Sequence, residues 1–229
     1  MTYTPCNFLG KQNRYYLIIS EFKAQARVFV ADLNNPGQVK FINFLNKKET
    51  NQMRQGDYTL LRLQDDIAVV KYSSCSEAPR VYAILFGNLD SASSLDEISY
   101  DPVLIDEIVL EEDLMNEVGS IKKDYVKLEN GAEGYFVRLG DDRLSQTPAR
   151  GENGKYPMIT LIHGGPFSAS PQDMFLIQRN FLILQGWCLL IVNYRGTIGF
   201  GKEFMDSLLG HIGSRDVEDC GNLTKAAIE

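Results

Sequence analysis

The run Met158-Ile-Thr-Leu-Ile-His163-Gly164-Gly165-Pro166 takes an apolar segment into a paired glycine, and a second apolar segment leads into Val192-Asn193-Tyr194-Arg195-Gly196. A Gly-Gly turn lets backbone N–H groups approach a ligand that a Cβ would hold off. The chemistry open to such a loop is stabilisation of an oxyanion. Acyl transfer through a serine needs a nucleophile, a base, an orienting acid and hydrogen-bond donors aimed at the developing charge. The sequence offers a candidate for one donor, the backbone N–H of Gly165, because the second glycine falls where the strand has ended and the chain turns. His163 and Gly164 are read as residues that shape this loop. Arg195 is read as an ion-pair residue fixing its own loop at the C-terminal edge of a sheet, where ligands of open α/β folds bind. Taken alone, a Gly-Gly-Pro turn is equally a bare structural turn.

The remaining machinery is not found in these residues. No serine has glycine two positions before and two after it, so the nucleophile elbow G-x-S-x-G is missing. Ser168 lies near the glycines but precedes an expected helix, which makes it a loop or capping residue. Where an elbow serine is used, the acid and then the histidine follow it in the chain. His163 and His211 both precede the place an elbow would take, so neither fits as base. His211, in Gly210-His-Ile-Gly213, reads as solvent-facing. Gly196-Thr-Ile-Gly-Phe-Gly201 has the spacing G-x-x-G-x-G, not that of a dinucleotide loop, and no Gly-Lys-Ser/Thr follows.

The two runs need a sheet to hold them. Met158–Ile162 and Trp187–Val192 are short and continuously apolar, as strands of a parallel sheet buried on both faces are. Between them Ser170-Pro171 is the expected helix start, with Asp173 in the first turn and Met174, Ile177, Phe181 and Leu184 on the buried face, ending at Gly186. The result is a βαβ crossover. Tyr125–Leu128 and Gly134–Leu139 form a hairpin about Asn130-Gly131. A last helix is expected after Ser214 as cap, with Asp216, Glu218 and Asp219 in its first turn and Val217, Cys220, Leu223 and Ala227 on one face.

Upstream the pattern changes. Tyr15–Ile19, Arg27–Ala31, Tyr58–Leu63, Ile67–Tyr72 and Arg80–Phe86 are β-rich runs parted by breaks such as Asn34-Asn-Pro-Gly37 and Gln64-Asp-Asp66. They read as antiparallel strands, enough for one propeller blade and most of another, or for a small sandwich. From Gly87 to Ser120 lie ten acids and no Lys or Arg, so this segment accounts for the net charge of -7. It reads as a solvated connector, a short helix or extended strap crossing between domains.

Composition narrows the class. With 44% hydrophobic residues a sizeable core can form. No apolar stretch is long enough for a membrane span, and no basic face or stacking motif supports nucleic-acid binding. Cys6, Cys75, Cys188 and Cys220 are scattered without a C-x-x-C pair, which suggests neither zinc nor a disulfide framework and fits a reducing, cytoplasmic setting. No cofactor and no metal are implied.

With those residues assembled, the chain resembles the acylaminoacyl-peptidase branch of the prolyl oligopeptidase family of serine peptidases. The resemblance rests on His163-Gly-Gly-Pro166, Val192-Asn-Tyr-Arg-Gly196 with Gly199-Phe-Gly201, Gly210 with Gly213, and Asp216-Val217 with Asp219, in the family's order and approximate spacing. Upstream, Gly56–Leu61 through Tyr72 resembles the end of that branch's propeller. The resemblance implies an α/β-hydrolase fold, N-terminal part only, preceded by the last blades of a β-propeller. Residues 1–90 would be partial propeller, 91–120 the acidic connector and 121–229 the first portion of the catalytic domain.

The implied activity is release of N-acylated, typically N-acetylated, residues from short blocked peptides, and a homo-oligomer of the full-length protein is compatible with it. Gly165 would match the oxyanion-hole glycine. The family's triad lies beyond the position matching Glu229, so the expectation is an internal fragment, inactive alone and left with an unpaired hydrophobic strand edge. A dipeptidyl peptidase or prolyl oligopeptidase of the same fold is the alternative within the family. A non-catalytic product with an interaction role is the alternative outside it.

Overall fold

The structure, a computed structural model, describes residues 8–42, 56–149, 151, 153–170 and 173–229. The chain divides into two units. The first comprises Met1–Ser20, Ala26–Ser74 and Pro79–Ile108; the second comprises Glu21–Gln25, Cys75–Ala78 and Val109–Glu229.

In the first, strands β1 (Phe8–Leu9), β2 (Tyr15–Phe22), β3 (Gln25–Asp32) and β4 (Val39–Phe41) make a sheet in that order, and β5 (Asp57–Gln64), β6 (Ile67–Ser74), β7 (Glu77–Gly87) and β8 (Ser99–Glu107) make another. Each β-rich run of the sequence is one of these strands. Gln64-Asp-Asp66 is a two-residue hairpin loop with both aspartates at positive φ, 49° and 63°. Such a turn matches the right-handed twist of the paired strands. Leu17, Val28, Val30, Val70, Tyr72 and Ile84 belong to one buried cluster contributed by both sheets. Arg14 and Asp32 form an ion pair of 2.8 Å whose carboxylate is fully buried.

The acidic stretch holds the expected short helix only at its end. Its middle is β8, an antiparallel partner of β7, with Val103, Leu104 and Ile105 exposed between its carboxylates. A short 3-10 turn, Leu95–Glu97, precedes it. From Val109 onward the chain stays in the second unit, beginning with helix α1 (Glu112–Gly119). Pairing with a β-rich neighbour overrode the local mixture of acids and apolar residues.

The second unit is built on a mixed sheet. Strands β9 (Ile121–Lys127) and β10 (Glu133–Leu139) form the expected hairpin, a short helix α2 (Asp141–Leu144) follows, and β11 (Met158–Ile162), α3 (Ile177–Leu184) and β12 (Cys188–Asn193) form the βαβ unit. Helices α4 (Lys202–Asp206) and α5 (Arg215–Ile228) end the chain. The strand order is β11-β12-β10-β9, with β12 parallel to β11 and antiparallel to β10.

Every residue of β12 is buried because it lies inside this sheet and both its faces are covered. Leu189 and Ile191 pack with Tyr135, Val137 and Ile183 of α3 on one face. Leu190 and Val192 pack with Leu208 and Leu223 of α5 on the other. β11 is the outer strand, and Ile162 is exposed there, so the expected buried strand is an edge strand with its apolar end in solvent.

Two helix readings are corrected. The helix after β11 starts at Ile177, with Leu176 at its N-cap and no side-chain cap. Pro171 lies outside the described residues. Asp173 precedes the helix: its buried carboxylate accepts a hydrogen bond from the Cys75 N–H at 3.0 Å and pairs with Lys123 at 3.0 Å. Nor is the Ile177, Phe181 stripe buried. These side chains are 75% and 61% exposed, while Asn180 and Ile183 face inward. The segment has apolar residues on two faces, and spacing alone cannot say which one meets the sheet. In α5, Cys220 and Leu223 are buried as expected but Val217 is exposed, and Ser214, although at the N-cap, gives its hydroxyl to the His211 carbonyl instead of capping an N–H.

Among the described residues no helix is long and apolar enough to cross a membrane.

Candidate functional site

The parallel register sets Ile162 beside Val192, so the residues that leave β11 and β12 emerge together at the C-terminal end of the sheet. This is the end at which open α/β sheets bind ligands. His163, Gly164 and Gly165 leave the first strand, and Tyr194, Arg195 and Gly196 leave the second.

His163 and Tyr194 are stacked, with ring centroids 4.4 Å apart and planes at 18°. The Tyr194 hydroxyl donates to the His163 carbonyl at 2.9 Å and lies 3.2 Å from the imidazole Nδ1. The other ring nitrogen, Nε2, lies 2.9 Å from the hydroxyl of Thr197, a fully buried residue. Burial lowers the pKa of His163, partly offset by the nearby Gly164 carbonyl, so the ring is neutral at pH 7. The structure thus places His163 in hydrogen-bonding contact with Tyr194 and Thr197.

Gly165 has φ of +60°, the left-handed region in which a Cβ is costly, whereas Gly164 does not adopt a positive φ. Both glycines are exposed. Among the described residues no group accepts a hydrogen bond from the Gly165 N–H, which leaves it open to an incoming acceptor. Ser168, the serine nearest this turn, has its carbonyl engaged by the Ile198 N–H at 3.1 Å, as a loop residue would.

Arg195 is held by α5. Its backbone N–H donates to Asp219 Oδ2 at 2.9 Å, Nε donates to the same oxygen at 2.8 Å, and Nη2 reaches Oδ1 at 2.8 Å and Glu218 at 2.8 Å. The Asp219 side chain is fully buried and also accepts from Asn130 Nδ2 at 2.8 Å. The Asp219 hydrogen bond is the main cause of the raised Arg195 pKa. Arg195 is therefore tied by ion pairs to α5. Its main partner is Asp219, which the sequence marked as a first-turn acid and as part of the family pattern but not as a partner of Arg195.

Gly196 next to it has φ of +106°, and a Cβ there would overlap Leu208. The glycine-rich run thus serves a tight turn packed against Leu208. His211 is exposed, as its glycine-flanked loop implied.

Thr197, Asp219 and Asn130 are the site residues that sequence reasoning missed. A Thr three positions after Tyr194 in a turn was the available signal for Thr197, since a hydroxyl there can fold back onto the carbonyl of residue i−3. For Asp219 and Asn130 nothing local showed their pairing, because the contact of Asp219 with Arg195 and that of Asn130 with Asp219 join residues far apart in the chain.

As an arrangement, the loop presents an exposed N–H donor on a fixed backbone. No acid, base and nucleophile constellation stands around it among the described residues.

Residues 174–229, which carry α3, β12, α4 and α5, match the model of the Prolyl oligopeptidase family. The acylamino-acid-releasing enzyme of Arabidopsis thaliana is 46% identical over 79 residues, which are 34% of this chain and 10% of that protein. The enzyme of that name from Sus scrofa is 27% identical over 169 residues, 72% of this chain and 21% of that protein. Among solved structures, the Pyrococcus horikoshii acylaminoacyl peptidase shares the fold, with a TM-score of 0.57 at 15% identity over 93% of this chain and 29% of that one. The aligned part thus spans about a tenth of the plant relative's length. Residues 174–229 thus carry the pattern of the prolyl oligopeptidase family of serine peptidases, and over its aligned parts the chain is similar to acylamino-acid-releasing enzymes.

Proposed function

We propose that this chain carries the oxyanion loop of a serine exopeptidase that releases N-acylated residues from short blocked peptides. In this reading the two four-stranded sheets are the last blades of a β-propeller, and the mixed sheet from Ile121 onward is the first portion of an α/β-hydrolase catalytic domain. The observation that carries it is the left-handed Gly165 at the end of β11, with its N–H exposed and unengaged among the described residues. A donor fixed in this way stabilises a developing oxyanion without reorganising when the charge forms. His163, Gly164 and Arg195 shape and anchor the loop and take no part in bond making. Nucleophile, acid and base are not supplied by these 229 residues, which by themselves do not turn over substrate.

The test is a graft. Residues 158–201 placed in the Arabidopsis thaliana relative, in exchange for its own corresponding segment, should support cleavage of an N-acetyl-peptide p-nitroanilide. In that graft Gly165→Ala, which displaces the N–H, should lower kcat by about 100-fold with KM little changed. An unchanged kcat would remove Gly165 from the oxyanion hole. The 229-residue chain alone should take no fluorophosphonate label, and labelling of it would show a nucleophile that this reading lacks.

A further inference from the structure

His163 has two neutral forms, and its surroundings discriminate between them. The Thr197 hydroxyl donates to the Tyr194 carbonyl at 2.7 Å, an ordinary length for a good O–H···O bond, and the Thr197 N–H points at the same carbonyl at 3.0 Å. A hydroxyl has a single proton. Once Thr197 has given it to Tyr194, only the oxygen lone pairs are left for the His163 Nε2 at 2.9 Å, and that nitrogen must be the donor. Nδ1 then carries no proton and lies 3.2 Å from the Tyr194 hydroxyl, whose own proton goes to the nearer His163 carbonyl at 2.9 Å.

The opposite tautomer would leave Nδ1–H only the longer contacts, with the Tyr194 oxygen at 3.2 Å and the Gly164 carbonyl at 3.3 Å, and would take the Thr197 proton away from its shorter bond. We infer that Thr197 is a positioning residue that holds His163 as its Nε2–H tautomer and so sets the peptide linking Gly164 to Gly165.

The link to the peptide is geometric. The Gly164 carbonyl and the Gly165 N–H belong to one planar trans unit and point to opposite sides of it. In the Nε2–H form the Nδ1 lone pair faces the Gly164 oxygen, and the two acceptors hold each other apart. The ring cannot turn to relieve this, because Tyr194 stacks on its face and Thr197 grips its far edge. The imidazole is therefore a wedge against one end of the peptide whose other end is the exposed donor. Thr197 is well placed for this, being fully buried and locked to the turn after β12 through both its N–H and its hydroxyl.

The catalytic meaning of this lock rests on the oxyanion reading of Gly165, but the tautomer does not, and the two are tested apart. The chain has two histidines, so a long-range proton–nitrogen correlation spectrum of the 15N-labelled protein at pH 7.5 contains two imidazole patterns, and His163→Gln assigns them. The wild-type His163 should show the Nε2–H pattern. Thr197→Val, which keeps the shape and removes the hydroxyl, should lower the Nε2–H to Nδ1–H ratio about fivefold or more, the factor carried by one hydrogen bond of ordinary net strength. Thr197→Ser should keep the wild-type pattern. A wild-type spectrum of the Nδ1–H type overturns the inference without recourse to any variant, and so does a Thr197→Val spectrum identical to wild type. If the Nε2–H pattern holds while Gly165→Ala leaves the kcat of the graft unchanged, the lock stands and the oxyanion reading falls.

Discussion

The Asp219 carboxylate accepts from three groups of one residue, the backbone N–H, Nε and Nη2 of Arg195, all within 2.9 Å. A planar guanidinium meets a carboxylate in a fixed fork, so this pair sets both a side chain and the backbone direction after β12. Asp219 is fully buried and the Arg195 side chain is 16% exposed. Replacing Asp219 by alanine leaves the cation buried without its main partner, and we expect a stability loss of about 3–5 kcal/mol in urea unfolding followed by circular dichroism. Glu218→Ala removes only the exposed arm of the network and should cost less than about 1 kcal/mol. Equal losses for the two would remove Asp219 from its place as the anchor.

Three glycines near the site should respond differently to alanine. Gly164 has no unfavourable φ and open space at its Cβ position, so Gly164→Ala should move stability by less than about 0.5 kcal/mol. Gly165 has equal space but a φ of +60°, and Gly165→Ala should cost about 1–2 kcal/mol from backbone strain alone. At Gly196 strain and overlap with Leu208 act together, and the loss should reach about 3 kcal/mol. Thermal or urea unfolding of the three variants gives the order, and a different ranking would contradict the backbone geometry described.

The two units should differ in their response to acid. His163 has its pKa lowered, mainly by burial, so the unfolded chain binds a proton on that side chain before the folded one does. Stability should therefore fall as pH drops below about 6.5, and level off at the lower folded pKa. His163→Gln should flatten this window. Asp32 is held well below the usual carboxylate range, chiefly by its hydrogen bonds with Arg14. Its contribution is present above the unfolded value of about 3.9 and is lost only as pH falls beneath that toward the folded pKa. A titration of the urea midpoint from pH 7.5 to 3 separates the two.

Cys75, Cys188 and Cys220 are buried, and burial is the main cause of their raised pKa values, that of Cys220 reaching about 11. A thiol without thiolate character reacts slowly. Because Cys6 lies outside the described residues, the measurement belongs in Cys6→Ser. In that variant Ellman's reagent at pH 7.5 should find no fast thiol in the native protein and three after addition of guanidinium. Rapid reaction of any one of them in the native state would show that its surroundings open.

Much of the architecture could be read from residue order because period and punctuation are local. Alternating β-rich runs with Asp-Asp or Asn-Gly turns located the hairpins, and two apolar strands around a helix located the βαβ unit. The same logic placed His163 and Tyr194 at neighbouring strand ends, and the Gly-Gly turn at Gly165. Readings failed where several local patterns were equally good. The segment 170–184 offers an early cap and a later helix start, together with two apolar faces, and the outcome was set by Asp173 leaving to bind the Cys75 N–H and Lys123. The acidic stretch around Val103 has no strong intrinsic preference and became a strand because β7 was there to pair with it.

By itself, then, the sequence located the βαβ unit, the Gly-Gly turn after β11, and the absence from these 229 residues of a nucleophile elbow, since each depends on residues adjacent in the chain. Only the tertiary structure decided that Asp219 grips Arg195, that Thr197 meets the far edge of the His163 ring, and that β11 lies on the outside of its sheet. Those relations join residues 24 and 34 positions apart, or whole strands. Burial made them strong by removing the water that would compete for each donor and acceptor.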